Sequence, residues 1–328
     1  MNRAYFNGLK VVEQVKEDTA WIIEVDTTLA GVSNSDQFQF TGANGEYDVK
    51  AFQSGVEVAS FSNLVNQQTI TLPTGGLYEL RVIPKGVGFN KMGFNNSGDR
   101  LKLLKTLQWG DYGVNEPNQS GAFNGCNNHS EIAGGGKWFT VVTNGDFMFF
   151  GNDLTSLPSS MTLPSLTSGS FMFRGNNITS LPSNMTLPNL TNGGNMFFGN
   201  SLTSLPSGMT LPSLTSGNLM FENNNLTSLP TDMTLLNLTN GLAMFQNNDL
   251  TSLPSNMELP NLTNGTRMFQ GNTINTTRYS QLLIDLEANN TNNNVTFHGG
   301  NSKYNAAGQV ARNALTARGW SITDGGLE

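Results

Sequence analysis

Cys126 and His129 stand three residues apart, a spacing at which a thiol and an imidazole could exchange a proton. Nucleophilic catalysis also needs a third group to orient the base, and none is evident beside this pair. Cys126 is the single cysteine, and His129 and His298 are the two histidines. A disulfide within the chain and a cysteine-rich zinc site are therefore excluded, and a histidine-based metal site lacks its usual ligands. Gly134-Gly135-Gly136-Lys137 has glycines and a lysine but not the spacing of a phosphate-binding loop. Glycoside hydrolysis requires two facing carboxylates. The carboxylates available in the repeated part of the chain are Glu222, Asp232, Asp249 and Glu258, of which Glu222 and Asp249 fall in neighbouring units. They read as surface charges. No oxygen-rich loop recurs to hold calcium, and sequons such as Asn189-Leu190-Thr191 are copied along with the repeat. The expectation is a non-enzymatic protein with no catalytic residues, no metal and no cofactor.

What positions these side chains is a 24-residue period. Methionine recurs at Met148, Met172, Met196, Met220, Met244 and Met268, each followed by phenylalanine (Phe149, Phe173, Phe197, Phe221, Phe245, Phe269). A second methionine column holds Met161, Met185, Met209, Met233 and Met257, and a Leu-Thr-Ser-Leu-Pro block recurs between the two. A unit this short cannot bury its own apolar face, so neighbours must stack. Asn152, Asn176, Asn200, Asn224, Asn248 and Asn272 form a structural ladder, since an Asn amide can satisfy both N–H and C=O groups of the adjacent unit. Gly145, Gly169, Gly193, Gly217, Gly241 and Gly265 mark a turn that needs either positive φ or close approach. Leu-Thr-Ser-Leu reads as a strand ended by proline. Met-Phe then lies in a tight helical turn, with the reverse placement left open.

Binding, if the repeats perform it, falls to columns that differ from copy to copy. One is Phe150, Arg174, Phe198, Glu222, Gln246 and Gln270; a second is Phe147, Phe171, Asn195, Leu219, Ala243 and Arg267; a third is Asp153, Asn177, Ser201, Asn225, Asp249 and Thr273. Aromatic and amide side chains on one lateral face suit sugars or protein loops. The bland alternative is drift on a solvated surface.

The flanks complete the expected fold class, mainly β with short helices. Alternation at 20–25, 37–40, 47–52, 56–61, 69–72 and 78–83 predicts an N-terminal immunoglobulin-like β-sandwich, with Asn44-Gly45 as a hairpin turn and 73–76 joining the last two strands. Residues 1–88 are read as an N-terminal segment and sandwich, and 89–145 as a junction with irregular first repeats. Residues 146–272 form a leucine-rich-repeat solenoid and 273–328 a small α/β C-terminal cap. In the junction 101–110 opens the repeats, and Cys126 takes the place of the ladder asparagine as a buried packing residue. The cap contains helices at 276–290 and 305–318 and strands at 295–297 and 320–323. Charged residues make up 12 % of the chain and its net charge is -7, with no basic cluster, which excludes nucleic acid as a partner. No apolar run reaches membrane-spanning or signal-peptide length, so neither membrane insertion nor ordinary export is expected. An oligomer is left open.

Leu-Lys-Thr-Leu-Gln-Trp-Gly at 104–110, Ala-Phe-Asn-Gly-Cys-Asn at 122–127 and the Met-Phe-x-x-Asn-x-Leu-Thr-Ser-Leu units resemble the BspA-type leucine-rich repeat family of bacterial surface proteins. The resemblance covers about residues 100–272. The tail, 297–304 with 319–326, is similar to the closing segment of related repeat proteins, including ones encoded by tailed phages of Bacteroidetes-type hosts. The family implies adhesion and brings no catalytic residues. With no export signal read, the resemblance implies a virion-associated fibre or decoration protein. Its N-terminal region would meet other virion proteins, and its repeats a host surface glycan or protein. A bacterial cell-surface adhesin is the alternative, and a polysaccharide-degrading enzyme the third reading.

Overall fold

A computed structural model describes residues 18–85, 89–255 and 257–328. The N-terminal segment 1–17, assigned above to particle docking, lies outside the described residues. The chain divides into two compact units. One runs to Val142 and includes Met148–Met161; the other comprises Thr143–Phe147 and Thr162–Glu328.

Strands of the first unit are β1 (Trp21–Asp26), β2 (Gln37–Gln39), β3 (Glu46–Gln53), β4 (Val56–Val65), β5 (Thr69–Thr71), β6 (Leu77–Lys85), β7 (Leu103–Gln108) and β8 (Glu131–Ile132). Six of them form one sheet in the order β4-β3-β6-β1-β7-β8. All neighbours are antiparallel except β7 and β8. Period-two alternation turns Trp21, Ile23 and Val25, Tyr47, Val49 and Ala51, and Tyr78, Leu80 and Val82 inward, all buried. Trp21 stacks on Phe89 and packs against Tyr112 and Phe123, which joins the sheet to the chain beyond it.

This arrangement overturns the expected fold class. An immunoglobulin-like sandwich needs two packed antiparallel sheets of comparable size. Here one mixed six-stranded sheet takes most strands, and β2 pairs only with the three-residue β5. The Asn44-Gly45 hairpin is not formed. Asn44 instead bridges to Lys91, and β3 pairs with β4 and β6. The tight turn is at Ser54-Gly55, where both residues have positive φ (51° and 79°), the geometry a two-residue hairpin prefers. Nor does 73–76 join paired strands, since β5 pairs with β2, and β6 with β1 and β3.

The repeat region likewise departs from the strand-built solenoid that was expected. Leu-Thr-Ser-Leu forms no strand, so its proline ends none. Units meet instead at single parallel bridges, Asn144 to Ser168, Ser168 to Asn192, Asn192 to Ser216, Ser216 to Asn240 and Asn240 to Asn264. Turns supply the rest: Phe173 N–H donates to Met196 C=O, Phe197 to Met220, Phe221 to Met244 and Phe245 to Met268. Thr191, Thr215, Thr239 and Thr263 each donate the hydroxyl to the carbonyl of the threonine 24 residues earlier at 2.9–3.0 Å. Side chains of Phe173, Phe197, Phe221, Phe245 and Phe269 are buried and stacked 5.6–5.7 Å apart, with interplanar angles of 4–8°. Of the two reasons for the Gly145-type column, close approach holds. None of these glycines has positive φ, and a Cβ on Gly193 would lie 2.8 Å from Met220 Sδ.

Beyond the repeats, β9 (Asn264–Gly265) pairs in parallel with β10 (Thr296–His298), which pairs with β11 (Ser321–Thr323). Helices α1 (Thr276–Asn289) and α2 (Ala306–Ala317) alternate with them, N-capped by Asn275 and Asn305. Phe297 lies 6.2 Å from Phe269, the last ring of the stack.

Candidate functional site

Each repeat turn places two residues in the left-handed region of backbone space. One column holds residues suited to it: Gly151, Gly175, Gly199, Asn223, Asn247 and Gly271. The other holds Phe147, Phe171, Asn195, Leu219, Ala243 and Arg267, with φ between 52° and 60°. For an ordinary L-residue this conformation costs about 1–2 kcal/mol. Only Asn195 in that column is of a type that tolerates it well.

In the second unit this strained column lies beside the column starting at Arg174. Phe147 and Phe171 stack at 4.6 Å with a 6° interplanar angle. The Arg174 guanidinium sits 5.2 Å from the Phe171 ring and 4.4 Å from Phe198, and donates to Asn195 Oδ1 at 3.2 Å. Phe147, Phe171, Arg174, Asn195 and Phe198 thus form one internally bonded aromatic and cationic cluster.

The next units differ. Glu222 is only 8 % exposed, and its Oε2 has no hydrogen-bond partner among the described residues. Burial pushes its carboxyl above the ordinary glutamate value, opposed by the charges of Arg267 and Arg174. No hydrogen bond among the described residues engages the side-chain amides of Gln246 and Gln270, which are half-buried. Arg267 is exposed and makes no ion pair among them. Phe150, the first member of the column, belongs to the other unit, where its carbonyl accepts from Gly125 N–H and Asn152 Nδ2.

A carboxyl whose folded pKa is raised destabilises the fold only while ionised. Glu222 should therefore cost stability at neutral pH, and that loss should vanish as pH falls from its folded pKa to the ordinary value. Glu222→Gln removes this contribution. Urea midpoints at neutral pH and near the ordinary glutamate pKa should change with pH differently in wild type and variant; parallel changes would contradict the assignment.

His129 is fully buried, with Nδ1 3.0 Å from Asn152 Oδ1 and Nε2 3.1 Å from Thr106 Oγ1. Asn152 Nδ2 donates to Phe123 and Phe150 carbonyls, so its Oδ1 must be the acceptor of the imidazole N–H. Burial lowers the His129 pKa to about 4, and Cys126, equally buried, has its thiol pushed well up. Thr106 and Asn152, not Cys126, meet the two imidazole nitrogens. Glu222 is buried, whereas Asp249 is exposed in a pocket lined by Leu250, Gly271 and Thr273. Among the described residues no three metal-ligating side chains cluster. The Asn ladder is fully engaged: Asn200 Nδ2 donates to Phe173 and Phe197 carbonyls, and its Oδ1 accepts from Ile178 N–H. Sequence reading missed a cluster in which Asp324, its side chain 2 % exposed, accepts from Arg312 Nε at 2.8 Å and Tyr279 Oη at 3.1 Å. These bonds tie α1, α2 and the segment after β11 together.

No protein-family model matches the chain, and no curated protein matches it.

Proposed function

We propose that this is a non-enzymatic binding protein whose repeat face, formed by the columns of Phe171 and Arg174, recognises a molecule on a host cell surface. The observation that carries the reading is Glu222: a buried carboxylate oxygen with no hydrogen-bond partner among the described residues, in register with the Gln246 and Gln270 amides, which no hydrogen bond among those residues engages. Such a group is expensive to retain unless something else satisfies it. The strained column supports the same reading, because side chains there are held against the backbone's preference.

The setting proposed is a virion-associated fibre or decoration protein, its N-terminal region meeting other virion proteins. This rests on the resemblance of the repeats and tail. Among the described residues no helix is long and apolar enough to cross a membrane.

The fluorescently tagged full chain should bind cells of a Bacteroidetes-type host. Phe147→Ala combined with Phe171→Ala should weaken binding at least tenfold while leaving the circular dichroism spectrum unchanged. Absence of wild-type binding to any host strain would refute the reading, as would undiminished binding by the variant. Release of reducing ends from host capsule would instead favour an enzyme. Immunogold labelling of particles and of uninfected cells separates the virion setting from a bacterial adhesin.

A further inference from the structure

The proline column breaks at the end of the repeats. Pro158, Pro182, Pro206, Pro230 and Pro254 follow one another at the 24-residue period, and the next position in register is Arg278, on α1. A ring with no donor gives way there to a cation. The register is kept up to that point, since Asn275 donates both its N–H and its Nδ2 to Thr251 C=O, 24 residues earlier. Arg278 reaches back in the same way. Its Nε donates to Leu253 C=O at 3.2 Å, and its Nη2 donates to Pro254 C=O. These two bonds fix the plane of the guanidinium and leave its other N–H groups over. The acids of the last two units, Glu222, Asp232, Asp249 and Glu258, make no ion pair with it among the described residues.

Arg278 lines a groove of about 360 Å³ together with Ser228, Thr231, Ser252 and Ser255. No hydrogen bond among the described residues engages those hydroxyls, and no carboxylate lines the groove. Such a lining offers a metal ion no anionic ligand. To an anion it offers a charge-assisted donor with hydroxyls around it. The donors come from two successive units and from α1, and so from several directions. A carboxylate oxygen accepts best near its own plane, whereas the outer oxygens of a phosphate or sulfate accept around a tetrahedron. The volume lies within the range of small-molecule sites, about 300–1,000 Å³, and leaves room beyond a bare inorganic ion. Leu229 and Leu253, both buried, line the same groove and give a carbon substituent an apolar floor.

We propose that this groove binds the phosphate or sulfate monoester of a small organic group. The ester's anionic oxygens meet Arg278 and the hydroxyls, and its carbon part lies on Leu229 and Leu253. The groove shares no residue with the face proposed above for host recognition, so the two sites stand or fall separately.

Calorimetric titration of the full chain with phenyl phosphate, phenyl sulfate, inorganic phosphate, inorganic sulfate and benzoate tests the assignment. At least one phenyl ester should bind, more tightly than its inorganic ion and than benzoate, and the ester that binds tells phosphate from sulfate. Arg278→Gln should weaken binding at least tenfold, an ordinary loss for hydrogen bonds to a charged group. That variant also loses the bonds to Leu253 and Pro254. Ser252→Ala combined with Ser255→Ala leaves those bonds in place, and should lower affinity about tenfold with the melting temperature unchanged. The proposal is overturned if neither ester binds, if benzoate or the inorganic ions bind as tightly, or if either variant keeps wild-type affinity.

Discussion

Replacing Lys102 by methionine is expected to destabilise the first unit by about 3–5 kcal/mol, the range found when one partner of a buried ion pair is removed. Lys102 and Asp99 are both fully buried. The ammonium lies 3.6 Å from Asp99 Oδ2, but its nearer partners are the Ser33 hydroxyl at 2.8 Å and three backbone carbonyls: Ser33 at 3.1 Å, Asn34 at 2.8 Å and Gln37 at 2.9 Å. Asp99 in turn accepts from the N–H groups of Val32, Ser33 and Gln39 and from the Ser33 hydroxyl. The pair therefore works as an internal cation and anion that together fold the loop between β1 and β2. Methionine fills the same volume, so the loss comes from the ammonium's bonds to three carbonyls and from an uncompensated carboxylate, not from a cavity. Arginine would not rescue, because its planar fork cannot occupy a cage built for a point charge. Gly31 belongs to the device, since a Cβ there would fall 2.3 Å from Asp99 Oδ1. Tryptophan fluorescence during urea unfolding, recorded in a Trp320→Phe background to remove the emission of the other unit, reports this unit through Trp21, Trp109 and Trp138. A midpoint within error of wild type would show that water replaces the ammonium without loss.

None of this was legible in the sequence. Asp99 and Lys102 look like any two surface charges three residues apart, and the partners of their side chains in the β1–β2 region lie 60–69 residues away. What the sequence does show is whatever repetition enforces. Met, Phe and Asn recur because each unit offers its neighbour the same environment, so the buried Phe stack and the Asn bonds follow from the period alone. Strand pairing is different in kind. The alternating segments of the first unit were found, but their partners depend on which strands the later chain leaves available. β7 lies far along the sequence and pairs with β1. Asn44-Gly45 carries the stronger hairpin signal, yet Ser54-Gly55 makes the turn, because β3 is claimed on both sides by β4 and β6.

The site was half legible for the same reason. Variation within a strict repeat pointed to the columns of Phe147 and Phe150. Variation cannot tell that one column is bent into the left-handed region, or that Glu222 is buried while Gln246 and Gln270, in the same register, are partly open. The neighbouring Gly and Asn column did carry a signal for positive φ. Phe, Leu, Ala and Arg four residues earlier carried none, and that contrast is what makes them informative.

The second large effect expected is Asn224→Asp, a substitution that changes almost no volume. Asn224 Nδ2 donates to Phe197 C=O at 2.9 Å and Phe221 C=O at 3.1 Å, and its Oδ1 accepts from Leu202 N–H at 3.0 Å. Aspartate keeps the acceptor but turns a second oxygen toward two carbonyl oxygens, in a site only 6 % exposed. Ionised, it should destabilise the second unit by about 3–5 kcal/mol. Its folded pKa must lie above the unfolded value of about 3.9, because only the protonated acid can donate to one of the carbonyls. The loss is therefore complete above the folded pKa and should shrink as pH falls toward the unfolded one. Asn248 has the same three kinds of partner, Leu226 N–H and the carbonyls of Phe221 and Phe245. Asn248→Asp should match Asn224→Asp in size and in pH dependence. Urea midpoints for both variants, measured from neutral pH down to about 4, provide the check. A pH-independent loss would place its origin in packing, and a large difference between the two sites would show that successive units do not give this amide the same surroundings.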